Sequence, residues 1–476
     1  VSHIPTSNAF KENASGALKD APLQEALGIA RSHSIQTRLN TIAKMPEFES
    51  LRDIGRDLKN HVIANLDHYL LQFEQSVIDR GGHVHWCPDG ESARAKVLEI
   101  CRKVNAKTVT KGKTMIGEEI GINDFLFANG IEPVETDLGE YIIQLRGETP
   151  SHIIGPALHV TQAQVEETFR EAHRDLDPQR NLDDPATLMA EAREKLRAGF
   201  LKADVGITGA NFLIADEGAT TIVTNEGNGD LTQTLPRIHI VLASIEKVVP
   251  SLKDAMTLLR ILARSATGQE QSVYTTFSSG PRRADDLDGP EEFHVVLIDN
   301  GRSAYLGSEL EEMLRCIRCG ACLDHCPVYH SVGGHAYGWV YSGPIGSLLT
   351  PMIVGVENAK PLPNASTLCG RCESVCPMRI PIPKLLRHWR ETEFSRAITP
   401  PTERSGLRFW AFMARRPKLY RLATSIGARV LKGLAGSRGR LSSAPLAGGW
   451  TKHRDLPAPQ GKTFHEQWKE KRGGRS

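Results

Sequence analysis

Cys316-Ile-Arg-Cys319-Gly-Ala-Cys322-Leu-Asp-His-Cys326-Pro327 is the run on which the reading of this 476-residue chain turns. Its spacing, C-x2-C-x2-C-x3-C-P, is that of bacterial ferredoxins, in which tight turns aim three thiolates at one cubane iron–sulfur cluster and send the fourth to another. Pro327 fixes the turn and withholds a backbone N–H there. A second run, Ser366-Thr-Leu-Cys369-Gly-Arg-Cys372-Glu-Ser-Val-Cys376-Pro377, keeps the same register with a serine in the first place. By crossed ligation, Cys316, Cys319, Cys322 and Cys376 complete one four-iron cluster, while Cys326, Cys369 and Cys372 offer three thiolates to a second. The iron without a thiolate takes Ser366 or water, is missing from a three-iron cluster, or stays open to a ligand. Against these stands the plainer role of Ser366 as a packing residue that hydrogen-bonds a neighbour. A structural zinc site would need two pairs, not a third and fourth cysteine so close. Two clusters in one module make a relay for single electrons.

Seven of the nine cysteines lie within 61 residues, and in a cytosolic chain such crowding argues for metal over disulfides. Cys87 and Cys101 stand far from the runs and read as small buried hydrophobes. Hydrophobic content of 40% and charged content of 24% are those of a globular protein. No apolar run reaches the ~18–20 residues of a spanning helix. Val1-Ser2-His3-Ile4-Pro5 lacks a basic-then-apolar leader pattern. A cytoplasmic location is therefore expected.

Upstream of the cysteines, residues 1–80 read as helical. Ile54, Leu58, Val62, Leu66, Leu70, Phe73 and Val77 recur every three or four residues, which predicts one long helix over Arg52–Arg80, ended by Gly81-Gly82. Residues 81–300 alternate apolar strand runs with helices. Strands are expected at His83–Trp86, Lys107–Lys111, Ile131–Thr136, Tyr141–Leu145, Asp204–Thr208, Phe212–Asp216, Thr220–Thr224, Ile238–Ser244 and Phe293–Ile298. Helices are expected at Glu91–Val104, Met115–Asn129, Leu188–Phe200 and Ser251–Ala263. This is the pattern of an α/β domain with a largely parallel, helix-covered sheet, plus a local hairpin at Glu217-Gly218. Residues 301–395 form the two-cluster module, with short helical pieces, and 396–476 a basic tail.

The net charge of +2 conceals an asymmetry. Pro401–Ser476 carries 17 basic and 4 acidic side chains, a net +13, against 41 and 52, a net −11, in the other 400 residues. Leu419, Leu422, Ile426, Val430 and Leu434 fall on one helical face, with Arg421, Arg429 and Lys432 elsewhere. Such a helix suits an acidic partner subunit, the chain's own acidic body, or a membrane surface. It is not built as a nucleic-acid reading element. Trp450, Phe464 and Trp468 suggest that the last segment packs on something as well.

At this point the chain resembles the lactate utilisation protein B family. The resemblance rests on Gly82-His-Val-His-Trp86, Glu135-Thr-Asp-Leu-Gly-Glu-Tyr-Ile-Ile-Gln-Leu145, Asp204-Val-Gly-Ile-Thr-Gly-Ala-Asn211 and Thr224-Asn-Glu-Gly-Asn-Gly229. Thr234-Leu-Pro-Arg237, Ala263-Arg-Ser-Ala-Thr-Gly-Gln269, Gly289-Pro-Glu-Glu-Phe-His294 and Gly333-Gly-His-Ala-Tyr-Gly338 extend it over nearly the whole chain. It implies a LUD domain similar to the CoA-transferase and sugar-isomerase superfamily, then an α-helical ferredoxin-type module whose second run also has three thiolates. It further implies a part in oxidising L-lactate to pyruvate, beside a cysteine-rich subunit like those of heterodisulfide reductases and a smaller LUD protein. Cys87 stands where the family pattern leads one to expect a small apolar residue.

Lactate oxidation removes two electrons, and clusters pass one at a time, so a two-electron step must lie elsewhere in the complex or on another cofactor. No G-x-G-x-x-G follows a strand, and no phosphate-binding G-x-x-x-x-G-K-[ST] occurs. Two loops, Thr208–Asn211 and Asn225–Gly229, follow strands and suit a small-anion pocket, with Asn211, Asn225, Asn228 and Arg237 as candidate contacts and Lys111 or Lys113 as partners for a carboxylate. The same glycines and asparagines also serve plain turn chemistry. Glu217 and Glu226 are candidate nucleophiles if acyl-transfer chemistry persists, and capping or solvated residues otherwise. His83, His85, His294 and His335 carry acid/base capability, each set against a hydrogen-bonded structural role. The leading expectation is an electron-transfer subunit of a lactate-oxidising complex. A stand-alone LUD-domain enzyme or redox sensor for an acyl or sugar-phosphate ligand is the alternative, and a redox-linked scaffold the third.

Overall fold

The structure is a computed structural model that describes residues 5–443, 448–451 and 454–473. The leader positions Val1–Ile4 weighed above lie outside the described residues. The chain divides into two units, Val1–Glu393 and Phe394–Ser476.

The first unit is organised by a six-stranded sheet, parallel throughout, whose strands run in the spatial order 83–87, 292–298, 238–244, 205–209, 108–112 and 132–135. Its strands are β1 His83–Cys87, β2 Thr108–Gly112, β3 Glu132–Glu135, β4 Val205–Gly209, β7 Ile238–Ser244 and β10 Glu292–Ile298. β4 and β7 are buried at every position, as the continuous apolar runs of a central parallel strand require. One face packs Val205, Ile207, Ile240 and Val296 against the helix Gly90–Lys103. The other packs Val241, Phe293 and Val295 against Phe73 and Val77 of an N-terminal helix. A second, four-stranded sheet holds β5 Phe212–Ile214, β6 Ala219–Thr224, β8 Val248–Val249 and β9 Tyr274–Ser278, and the expected hairpin is its β5–β6 pair.

Three expected elements differ. The long N-terminal helix is two, Phe48–Ala64 and Leu66–Asp79, because Asn65 leaves helical geometry (φ −130°, ψ 37°) and its side-chain amide donates to the His61 carbonyl. The helix over Met115–Asn129 is likewise two, Met115–Ile120 and Ile122–Ala128, divided at Gly121 with φ 71°. Tyr141–Leu145 is no strand but lies in the helix Leu138–Arg146. Asp137 caps that helix by accepting from the N–H groups of Gly139 and Glu140, and Gly147 (φ 66°) stops it.

Beyond β10 the chain runs through short helical pieces to the buried helix Gly343–Val354 and the amphipathic helix Ile382–Ser395. The second unit has the helices Pro401–Ala414, Pro417–Ala435 and Phe464–Gly473. Ser425 and Arg429 both bind Glu466, which fastens the last of these helices to the middle one. Trp468 stacks on Phe464, and Arg454 lies over Trp450. Leu419, Leu422, Ile426, Val430 and Leu434 all remain exposed. Among the described residues no helix is long and apolar enough to cross a membrane.

Candidate metal centre

The two cysteine runs fold alike. The residue before the aligned second cysteine is left-handed in both, Arg318 (φ 59°) and Leu368 (φ 52°), and so is the glycine after it, Gly320 (φ 74°) and Gly370 (φ 80°). Each run then enters a short helix, Ala321–Asp324 or Arg371–Val375. Positive φ at a non-glycine residue is uncommon, so its recurrence at matched positions identifies a repeated backbone turn. Ser366 therefore occupies the position of Cys316, and its hydroxyl accepts from the Leu368 N–H at 3.1 Å.

All seven thiols are free. Cys316, Cys319, Cys322 and Cys376 line one small cavity, walled by Ile345 and Met378. Burial, then its neighbours Cys376 and Cys316, pushes the Cys319 thiol up. Cys372 is pushed up to about 12 by burial, then by Cys326 and Cys369. The first set, Cys316, Cys319, Cys322 and Cys376, thus mixes both runs, and Cys326 and Cys369 are neighbours of Cys372. Around a single zinc at 2.3 Å, sulfurs would stand about 3.8 Å apart. Among the described residues, the metal-binding groups whose ligand atoms all fall within 4.8 Å are two histidine–carboxylate sets and include no cysteine. The thiols frame something wider than one ion, and the donor chemistry fits an iron–sulfur cluster. Cys369 is exposed, Cys316 and Cys319 are half-buried, and Cys322, Cys326, Cys372 and Cys376 are buried.

The first set is held by arginines that the spacing of cysteines does not reveal. Arg52 donates through Nε and Nη2 to the Cys376 carbonyl (3.1 and 2.7 Å) and through Nη2 to that of Ser374 (2.9 Å). Arg38 donates to the carbonyl of Val375 at 3.1 Å. Both come from helices that precede the sheet, so the N-terminal segment locks the second run beside the first. Arg318, inside the first run, bonds Glu246 at 3.0 Å, and Glu246 also pairs with the buried Arg302 at 3.2 Å. Arg302 forks onto Glu119 (2.9 and 2.6 Å), which accepts from Tyr341 Oη at 2.7 Å as well. Burial alone would raise the Glu246 carboxyl; Arg302 and Arg318 hold it down at about 2. Burial lowers the Lys59 ammonium to about 8, and it donates to the Glu246 carbonyl. Glu246 follows β7, Arg302 follows β10 and Glu119 follows β2, so this ionic network closes the carboxyl end of the sheet against the Cys316 loop.

The other candidates from the sequence are dispersed. Lys111 is spent on Glu118 and Glu135, both at 2.7 Å, and Lys113 on Asp137. Asn211 accepts from Val223 N–H and closes the β5–β6 hairpin, and Asn225 bonds Gln269 and Val273. Asn228 is buried, with no hydrogen-bond partner for its side chain among the described residues. Arg237 stands just before β7, at the opposite end of the sheet from Asn211, paired with Glu291 at 2.9 Å. The glycines of Asp204–Asn211 have a packing reason: a Cβ on Gly206 would lie 1.8 Å from the Thr232 carbonyl oxygen, and one on Gly209 2.5 Å from that of Lys113. Glu217 pairs with Arg80 at 2.5 Å, and Glu226 accepts from the Asn225 N–H. A cavity of about 1000 Å³ runs along β3 and takes in Glu118, Glu135, Glu140, His335 and Trp339.

Fold and site together define a two-cluster, ferredoxin-type iron–sulfur protein with an α/β domain ahead of the clusters. Residues 70–298 match the LUD domain, 312–380 the 4Fe-4S dicluster domain, and 374–473 the C-terminal region of lactate utilisation protein B. Lactate utilization protein B of Geobacillus thermodenitrificans is 42% identical over 92% of this chain and 91% of its own length. Its counterparts in Bacillus licheniformis and Lysinibacillus sphaericus are each 39% identical, over 97% and 98% of this chain and the same shares of their own. The chain belongs to the lactate utilisation protein B family.

Proposed function

We propose that this chain is the electron-transfer subunit of an assembly that oxidises L-lactate to pyruvate, supporting growth on lactate. The observation that supports the reading is that Cys376 of the second run lines one small cavity with Cys316, Cys319 and Cys322 of the first. In this reading Cys316, Cys319, Cys322 and Cys376 hold one 4Fe-4S cluster and Cys326, Cys369 and Cys372 the other. The clusters supply one-electron transfer when bound.

The residues of the chain do the rest. Arg38 and Arg52 fix the carbonyls around Cys376 so that its thiol meets the first run. Arg318 brings a cation beside Cys316, which favours a reduced, more negative centre. Exposed Cys369 puts the three-thiolate set where a redox partner can approach. The partners are expected to be a cysteine-rich, heterodisulfide-reductase-like subunit and a smaller LUD protein, one of which provides the two-electron step. The exposed apolar face of Pro417–Ala435 is available to such a subunit.

The test is anaerobic isolation of wild type, Cys369→Ser and Cys376→Ser, with iron and sulfide analysis, EPR, and lactate-dependent dye reduction by the reconstituted assembly. Each variant should lose one cluster's EPR signal and the coupled dye reduction. Undiminished lactate oxidation with a cluster gone removes this reading.

A further inference from the structure

A second metal-binding geometry lies at the amino end of the sheet, away from the cysteines. His83 opens β1 and His294 is its register partner on β10, with Glu292 two residues earlier on the same face. The three offer ligand atoms that all lie within 4.8 Å of one another. Glu292 and His294 already stand 3.0 Å apart (Oε2 to Nε2). Ligand atoms in a tetrahedral zinc shell are about 3.4 Å apart, so small side-chain rotations close the set. His83 stacks on His294 with centroids 4.8 Å apart, and both His83 and Glu292 are exposed, which gives an ion a way in.

The fourth residue makes the cluster a built arrangement. His85 Nε2 stands 3.1 Å from His294 Nδ1, on the side of the ring away from Glu292. A ligating imidazole commonly donates its second N–H to a neighbour, which fixes the tautomer and aims the free nitrogen at the metal. With His294 Nδ1–H donating to His85, Nε2 is left as a ligand facing the carboxylate. The Glu148/His159/His335 set lacks this economy: Glu148 is held by Arg146 and His159, and His335 Nε2 is spent on the Thr149 carbonyl.

We propose that His83, His294 and Glu292 bind a divalent first-row transition cation of the zinc class, with His85 as the positioning residue for His294. Two histidines and a carboxylate leave one position of a tetrahedral shell for water or another ligand. Because the ligands come from edge strand β1 and its neighbour β10, the ion pins the edge of the sheet and binds the folded state preferentially.

The probe is Zn2+ alone, added to protein whose cysteines already hold iron. After anaerobic dialysis against micromolar Zn2+, wild type should retain one zinc per chain above its iron, and thermal unfolding should move to higher temperature. His83→Ala and Glu292→Ala, both surface changes, should lose the zinc and the shift while keeping full iron content. His85→Gln should weaken binding about 10–100-fold without abolishing it. Equal zinc in wild type and both surface variants overturns the proposal, as does retention only at millimolar zinc.

Discussion

At the scale of single residues, the ion pairs beside the Cys316 loop are where the chain is most vulnerable. Glu246 alone faces both Arg302 and Arg318, and all three are nearly excluded from solvent. Glu246→Gln keeps the volume and removes the charge, leaving the largely buried Arg318 without its carboxylate and Arg302 with Glu119 alone. Breaking such a pair costs about 3–5 kcal/mol, so urea unfolding of this variant should shift markedly to lower denaturant. His239 gives a pH dependence. It is buried, hydrogen-bonded to Thr208 at 2.8 Å, and burial lowers it to about 3. The unfolded chain takes up a proton near pH 6.5 that the native state refuses until about pH 3, so stability falls as pH drops through that window. The loss at pH 4.5 is about 2–3 kcal/mol, and His239→Gln should flatten that part of the stability–pH curve.

At the scale of elements, the helix Phe48–Ala64 acts through one buried guanidinium. Arg52→Ala leaves the Cys376 and Ser374 carbonyls without their donors, at about 1–3 kcal/mol for the unsatisfied groups. Iron retention after chelator challenge should fall in this variant while the sheet, followed by circular dichroism, persists. Central strand β4 is equally constrained by backbone. Gly209→Ala would drive a methyl to 2.5 Å from the Lys113 carbonyl oxygen, and either strand end or loop must move. A loss of soluble yield or a lowered melting temperature is the expected result, whereas Gly427→Ala on the exposed tail helix meets nothing within 4 Å and should be neutral or mildly stabilising.

At the scale of the molecule, the first unit is an α/β sheet and a cysteine module joined by charge: the N-terminal helices touch the second cysteine run, and the loop after β7 touches the first. The sheet and module therefore depend on one another. Removing iron with a strong chelator should lower the unfolding temperature of the whole first unit, measured as loss of far-ultraviolet helix signal, because cluster binding stabilises only the folded thiol arrangement. A chelator-treated protein that unfolds as the untreated one does would show the module to be energetically separate.

Local chemistry was readable from the order of residues alone. Cysteine spacing is set by covalent turn geometry, so both runs could be read as iron–sulfur runs before any fold was known. Apolar periodicity located nearly every strand of the parallel sheet, because burial on both faces demands continuous apolar runs. It misjudged Tyr141–Leu145, where Asp137 and Gly147 were the overlooked helix signals, and it ran helices through Asn65 and Gly121. Only tertiary structure separated Arg237 from the asparagine loops, turned Lys111 and Lys113 inward to carboxylates, and assembled Arg38, Arg52, Arg302, Arg318, Glu119 and Glu246 around the thiols. Those pairings join residues tens to hundreds of positions apart, and charge compensation in a buried space follows from which chain segments meet, which no local pattern encodes.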